Sequence, residues 1–151
     1  MSPSKSDELE NALATMERVR SQIEAYAREV EVLEVGINEH LRAKSTLTAL
    51  TTTKNGTELL VPIGAGAYAF AKADATDTVL VSLGSGVRIE EDVPAAIGRI
   101  DTRLETIRQR QQRMIAELRQ LENAAESLNE RIESMARGGQ REKQAGTPAG
   151  K

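Results

Sequence analysis

The chain has 151 residues, 39% of them hydrophobic but only 2% aromatic, with no cysteine and a formal net charge of −3. The absent cysteines exclude disulfides and thiolate metal sites. The mildly acidic balance argues against a dedicated nucleic-acid binder, and no apolar run is long enough to span a bilayer.

The opening segment, MSPSKSDELEN, is polar and acidic and does not read as a signal peptide, so a soluble cytoplasmic protein is expected. Residues 1–6 read as a flexible N-terminus. Ser6 is placed to cap a helix, with Asp7 and Glu8 in the first turn, where the helix dipole favours acids. The first helix is predicted over 7–50. Its main apolar seam reads Leu9, Leu13, Met16, Ile23, Ala27, Val30, Ile37, Leu41. A neighbouring stripe reads Ala12, Val19, Tyr26, Leu33, Leu47, so the apolar face is wider than a minimal two-stranded seam. Gly36 within it costs roughly 1 kcal/mol relative to Ala.

Residues 51–92 change character. Thr51, Thr52 and Thr53 are β-branched and poor in helices, and Asn55-Gly56 signals a turn. Leu59–Ile63 reads as a short strand, with Pro62 marking an edge or a bulge. Gly64-Ala65-Gly66 turns the chain. In the next stretch Tyr68, Phe70 and Lys72 alternate with alanines at strand period. Thr78–Leu83 and Val87–Glu91 form a second strand pair around Gly84-Ser85-Gly86. Two consecutive hairpins result. Alone they are marginal in water, and their open edges invite pairing with other chains.

Asp92-Val93-Pro94 starts the second helix, predicted over 93–137, with a capping acid and a proline in the first turn. Its apolar residues return at alternating steps of three and four: Ile97, Ile100, Leu104, Ile107, then Met114, Leu118, Leu121, Ala125, Leu128, Ile132 and Met135, with Gln111 as the break. So regular a heptad seam requires a second helix against it. Gly138-Gly139 is placed to end this helix, and 138–151 is expected to be a disordered tail. Each helix would span roughly 65 Å at about 1.5 Å per residue. Folded back on each other, they would place Leu9 near Met135, Ile23 near Leu121 and Leu41 near Leu104. Glu34 and Gln111 would then either share a register-fixing polar layer or each face solvent.

Motifs for chemistry are weak. Gly64-x-Gly66-x-x-Ala69 imitates a dinucleotide fingerprint, but strand period succeeds it where a phosphate-binding helix is required. His40, the only histidine, has no cysteine or second histidine to join it at a metal, and no nucleophile–base pair can be named. No cofactor, metal or catalytic residue is therefore expected. The arginines of the second helix are interleaved with acids and read as a solvated face. Leu9, Leu13, Leu128, Ile132 and Met135 lie near the helix ends. They read either as simple coiled-coil core or, because helix ends fray, as apolar surface offered to other chains.

The order helix, LVPIGAGAYAFAKA, DTVLVSLGSGVRIEED, helix resembles the alpha-class subunit of prefoldin, a hexameric molecular chaperone. The paired glycine turns and the stretch from Asp77 to Glu91 carry the likeness, which covers Asp7 to Arg137. The resemblance implies an α+β fold: a long antiparallel two-helix coiled coil whose two central hairpins join those of other subunits in an oligomeric β-barrel platform. It implies two alpha-class with four beta-class subunits, the beta class having one hairpin. It implies an ATP-independent holdase that grips unfolded polypeptide at the coiled-coil tips and passes it to a group II chaperonin. The client-binding positions so implied are Leu9, Leu13, Leu128, Ile132 and Met135. The assembly positions are Leu60, Val61, Ile63, Tyr68 and Phe70 in the first hairpin and Val79, Val81, Leu83, Val87 and Ile89 in the second. A prefoldin-like scaffold or filament-forming subunit is the alternative. An enzyme is a distant third.

Overall fold

The computed structural model describes residues 5–145, and side chains through residue 139. Helix α1 runs Lys5–Leu50 and helix α2 runs Val93–Ala145. Between them lie strands β1 (Glu58–Gly64), β2 (Ala67–Lys72), β3 (Thr78–Gly84) and β4 (Val87–Asp92). The strands pair as two separate antiparallel hairpins, β1 with β2 and β3 with β4. The chain divides into two compact units. One holds α1 through Val32 with α2 from Arg110 onward; the other, Leu33–Gln109, holds both hairpins and the adjoining helix segments.

Sequence period and burial agree closely on α2. The heptad seam is withdrawn from solvent along its whole length, joined by Val93, Ala96, Arg99 and Ile115, and Gln111 takes its seam position half-buried. On α1 the outcome differs. The withdrawn line is Leu9, Ala12, Met16, Val19, Ile23, Tyr26, Val30, Leu33, Ile37, His40, Lys44 and Leu47, flanked by Glu29 and Gly36. Its spacing is one unbroken alternation of three and four, in which His40 and Lys44, absent from both stripes read in the sequence, join residues drawn from each. Leu13 and Leu41 fall off this line and are 48% and 39% exposed, while Ala12 and Met16 are buried. Apolar identity alone selects the larger leucines; the strict 3.5-residue repeat selects the alanine, the histidine and the lysine. Glu34 lies on the exposed flank beside Leu33.

Within the hairpin-bearing unit, Lys44 Nζ lies 2.6 Å from Asp101 Oδ1. Lys44 is one short step after Leu41 on α1, and Asp101 is the same step before Leu104 on α2. That is the antiparallel register the seams predict. Within the other unit Arg110 pairs with Glu29. Both pairs are well exposed, so each contributes at most about 1 kcal/mol.

The helix ends show how the chain changes element. At the end of α1 the hydroxyls of Thr51, Thr52 and Thr53 donate to Thr48 O and Ala49 O at 2.7–3.1 Å. The threonine run both discourages further helix and satisfies its last carbonyls. At the start of α2 the Asp92 carboxylate accepts from the Ala95 amide at 2.7 Å, as an N-cap does. The Val93 amide donates to Asp77 O at 2.9 Å, and Val93 and Ala96 are each only 1% exposed. The second hairpin is thereby fastened to the helix at its root.

Two boundaries depart from expectation. Ser6 lies inside α1, which already includes Lys5. Gly138 and Gly139 do not end α2: neither has the positive φ of a glycine C-cap, and helix continues through Ala145. The next residues, Gln140 to Ala145, are good helix formers, which offsets the cost of the two glycines. Residues 146–151 of the expected tail, and the first four residues, lie outside the described part.

The hairpins close in identical fashion. Ala65 and Gly66 have φ of 50° and 76°; Ser85 and Gly86 have 50° and 79°. Two successive positive φ values define the type I′ turn that matches strand twist. Each turn comes after a register shift, at Pro62/Gly64 and at Ser82/Gly84, so Pro62 borders a bulge. The second hairpin repeats the first at an offset of twenty residues, with Leu60-Val61 matched by Leu80-Val81 and Gly64-Ala65-Gly66 by Gly84-Ser85-Gly86.

These ends and turns set the sign of two substitutions. Asp92→Ala should cost about 1 kcal/mol in denaturant unfolding of the chain, the worth of a lost N-cap. Ala65→Asn and Ser85→Asn should each gain up to about 1 kcal/mol in the same measurement, because Asn tolerates the left-handed region far better than Ala or Ser.

Candidate functional site

Directly paired residues of an antiparallel hairpin share a face. In the first hairpin the register sets Glu58 against Lys72, Leu60 against Phe70 and Pro62 against Tyr68. One face therefore carries an apolar patch bordered at its base by an acid and a base. Phe70 is 88% exposed, Ile63 66%, and Leu60 and Tyr68 about as much as Ile63. The opposite face, Leu59 and Val61 against Ala71 and Ala69, is somewhat more covered.

The second hairpin is different. Val79, Val81, Ile89 and Glu91 occupy one face and are all half-buried. Glu91 joins that face to α2: its two carboxylate oxygens accept from Arg99 Nε and Nη2 at 3.0 and 2.9 Å. This fork-to-fork contact is the most specific ion pair of the unit. It holds the Glu91 carboxyl below its ordinary pKa of 4.5, chiefly through the hydrogen bonds, with the guanidinium charge adding to them and desolvation opposing. The Arg99 pKa is raised by the same partner. On the outward face Leu80 is 71% exposed, beside Glu90, whose carboxylate accepts from the Thr78 hydroxyl at 3.0 Å.

A groove of about 570 Å³ lies along β3, walled by α1 residues such as Ala43 and Leu47 and by α2 residues such as Ala96 and Ile100. Four consecutive β3 residues, Val79 to Ser82, line it. Consecutive strand side chains point to opposite faces, so the groove runs along the strand's edge rather than one face alone. That edge is the unpaired one, since among the described residues β3 pairs only with β4. Glu39, His40 and Arg103 stand on the groove's walls. His40 Nδ1–H donates to Gly36 O at 2.7 Å, a local helix contact.

The sequence-derived assembly residues therefore divide. Leu60, Val61, Ile63, Tyr68, Phe70, Leu83 and Val87 are exposed on the hairpins. Val79, Val81 and Ile89 are half-buried, and Val79 and Val81 line the groove. Leu80 is absent from the sequence-derived set, although it is among the most exposed leucines. The signal that finds it is the twenty-residue repeat, in which Leu80 is the counterpart of Leu60. The residues expected at the helix ends all fall in the other unit: Leu9, Leu128, Ile132 and Met135 are half-buried and Leu13 is exposed. Gly64 and Gly66 sit in a hairpin turn with strand after them, not a phosphate-binding helix. Among the described residues no helix is long and apolar enough to cross a membrane.

Residues 6–137 match a family model described as "Prefoldin subunit". The chain is 32% identical over 125 residues to a prefoldin subunit alpha of Methanoculleus marisnigri, covering 83% of each. It is 30% identical over 142 residues to that of Methanoregula boonei, covering 94% of this chain and 90% of the relative. Among solved structures it resembles a cryo-EM structure of filamentous PFD from Methanocaldococcus jannaschii, with a TM-score of 0.67 and 25% identity, covering 75% of this chain and 93% of that one.

The Glu91–Arg99 pair gives a pH signature with a definite sign. A carboxyl whose folded pKa is depressed adds stability above its unfolded pKa and loses it as pH falls through the folded value. Glu91→Gln should therefore lower the melting temperature at pH 7. The difference from the unaltered chain should shrink only once pH drops below the ordinary value of 4.5. Parallel thermal melts between about pH 3 and 8 check it.

Proposed function

The chain belongs to the prefoldin subunit family, in its alpha class, and on that premise we propose that it works as an ATP-independent holdase. It is a prefoldin chaperone subunit. The observation that carries the reading is the pair of hairpins with unpaired edges and uncovered apolar side chains, inserted in the chain between two long seamed helices. Such edges are templates on which strands of other chains can pair. Two copies of this chain would join four beta-class subunits, their strands closing into a β-barrel platform. Phe70, Tyr68, Leu60, Ile63 and Leu80 are the side chains with most surface to give to that contact.

Non-native polypeptide would be held by Leu9, Leu13, Leu128, Ile132 and Met135, on the unit that lacks the hairpins. Methionine and leucine adapt to irregular apolar surfaces, which suits clients of many sequences. Each contact is weak. Several subunits acting on one client raise its effective concentration at the others, so modest sites give firm holding without nucleotide turnover. Release to a group II chaperonin in the cytoplasm would complete the cycle. A filament-forming scaffold is the second reading, favoured by the likeness to the filamentous assembly.

Native mass spectrometry of the chain purified from its own cells separates the two. Two copies with four of a smaller coiled-coil subunit support the chaperone complex; long self-only assemblies support the scaffold. Within the chaperone reading, Leu13→Ser, Ile132→Ser and Met135→Ser combined should raise several-fold the concentration needed to suppress client aggregation, with complex mass unchanged. Leu80→Asp should instead reduce assembly itself, since it puts a charge on an exposed apolar hairpin position and leaves the helix ends unaltered.

A further inference from the structure

We propose that Asn55 is a self-modification site: the Gly56 backbone nitrogen closes on the Asn55 side chain, expels ammonia and leaves isoaspartate at the root of the first hairpin. The modification loosens that root.

The chain has five asparagines, and Asn55 alone is succeeded by glycine. Asn11, Asn38, Asn123 and Asn129 lie within α1 or α2 and are each succeeded by alanine or glutamate. There the next amide is committed to the helix ladder, and a Cβ crowds its nitrogen. Asn55 and Gly56 are instead exposed, in a turn where the Thr57 amide donates to Lys54 O at 3.1 Å. Gly56 has a φ of 85°, and the space where a Cβ would stand is open to 4 Å. The Thr76 hydroxyl donates to Asn55 Oδ1 at 3.3 Å. Negative charge develops on that oxygen when the amide carbon is attacked, so a donor aimed at it favours the attack.

The Gly56 N–H is held by Ala73 O at 2.6 Å, so its nitrogen is engaged while the root is closed. The reaction therefore waits on local opening. Exposed backbone hydrogen bonds beneath an uncovered hairpin are at the low end of local stability. On opening, the Gly56 nitrogen gives its proton to hydroxide and bonds to Asn55 Cγ. The Cγ–Nδ2 bond breaks, Nδ2 takes a proton from water and leaves as ammonia, and a succinimide ring remains. Water then opens the ring. Cleavage at the Asn55 backbone carbonyl leaves isoaspartate, with the chain running through Cγ; cleavage at Cγ leaves aspartate. The net change is one water consumed and one ammonia released. Isoaspartate lengthens the backbone by a methylene directly before Gly56, which displaces the Gly56 amide from Ala73 O.

The test is incubation of the full-length chain in mildly alkaline buffer, with and without denaturant, then peptide mass spectrometry with fragmentation that separates isoaspartate from aspartate. Asn55 should convert in the folded chain, more slowly than in denaturant, and isoaspartate should appear, which direct amide hydrolysis cannot give. The other four asparagines should stay intact in the folded chain. Thr76→Val should slow the folded-state conversion about fivefold, the worth of one hydrogen bond. Amide hydrogen exchange at Gly56 and Ala73 should then run about fivefold faster in the isoaspartate form. Asn55→Asp, which adds the same charge without the extra methylene, should exchange as the unaltered chain does. Conversion only in denaturant, or spread equally over the five asparagines, overturns the site. Unchanged conversion in Thr76→Val overturns the part given to that hydroxyl. Equal exchange in the isoaspartate form and in Asn55→Asp overturns the loosening of the root.

Discussion

A β-hairpin of two strands has two faces and two edges, and its own subunit can cover only part of them. This constraint governs the chain. The second hairpin solves half of it by laying Val79, Val81 and Ile89 toward the helices and locking the arrangement with the Glu91–Arg99 fork. The first hairpin leaves Phe70, Tyr68, Leu60 and Ile63 in solvent. Apolar area left in water costs free energy that contact with another surface would recover. The seams of α1 and α2 impose the same requirement in one dimension, and there the chain meets it internally. Division of labour between the two units reflects where the chain can satisfy itself and where it cannot.

Helices, strands and turns are largely legible in the sequence because each is dictated locally. The seam of α2 comes from spacing alone. Both I′ turns come from a glycine pair flanking one small residue, and the α2 start comes from Asp92 and Pro94. The α1 seam is less legible. Leu13 and Leu41 have the size of core residues, but their positions break the strict repeat that Ala12 and His40 keep. Residue size misleads where spacing is decisive. The end of α2 departs from expectation for a related reason: a glycine pair ends a helix only when one of them turns left-handed, and the residues after Gly139 support more helix.

The sites are less legible than the fold. Alternation identifies which strand residues share a face, not which face a helix will cover. Val79 and Val81 therefore look equivalent to Leu60 and Phe70 in the sequence, although they line the groove within their own subunit. The Glu91–Arg99 fork has no motif to announce it, since its partners come from a strand end and the first turns of a helix. The groove along β3 needs three elements at once.

The root of the first hairpin has a consequence of its own. The Gly56 amide donates to Ala73 O at 2.6 Å and the Ala73 amide to Thr57 O at 2.9 Å. The chain thus enters and leaves the first hairpin at a single point. Residues 57–72 form a closed excursion whose flanking residues are already hydrogen-bonded to each other, so shortening or doubling it asks little of the backbone on either side. By geometry the first hairpin is a detachable insert, and chains with one hairpin or two can be built on the same pair of helices.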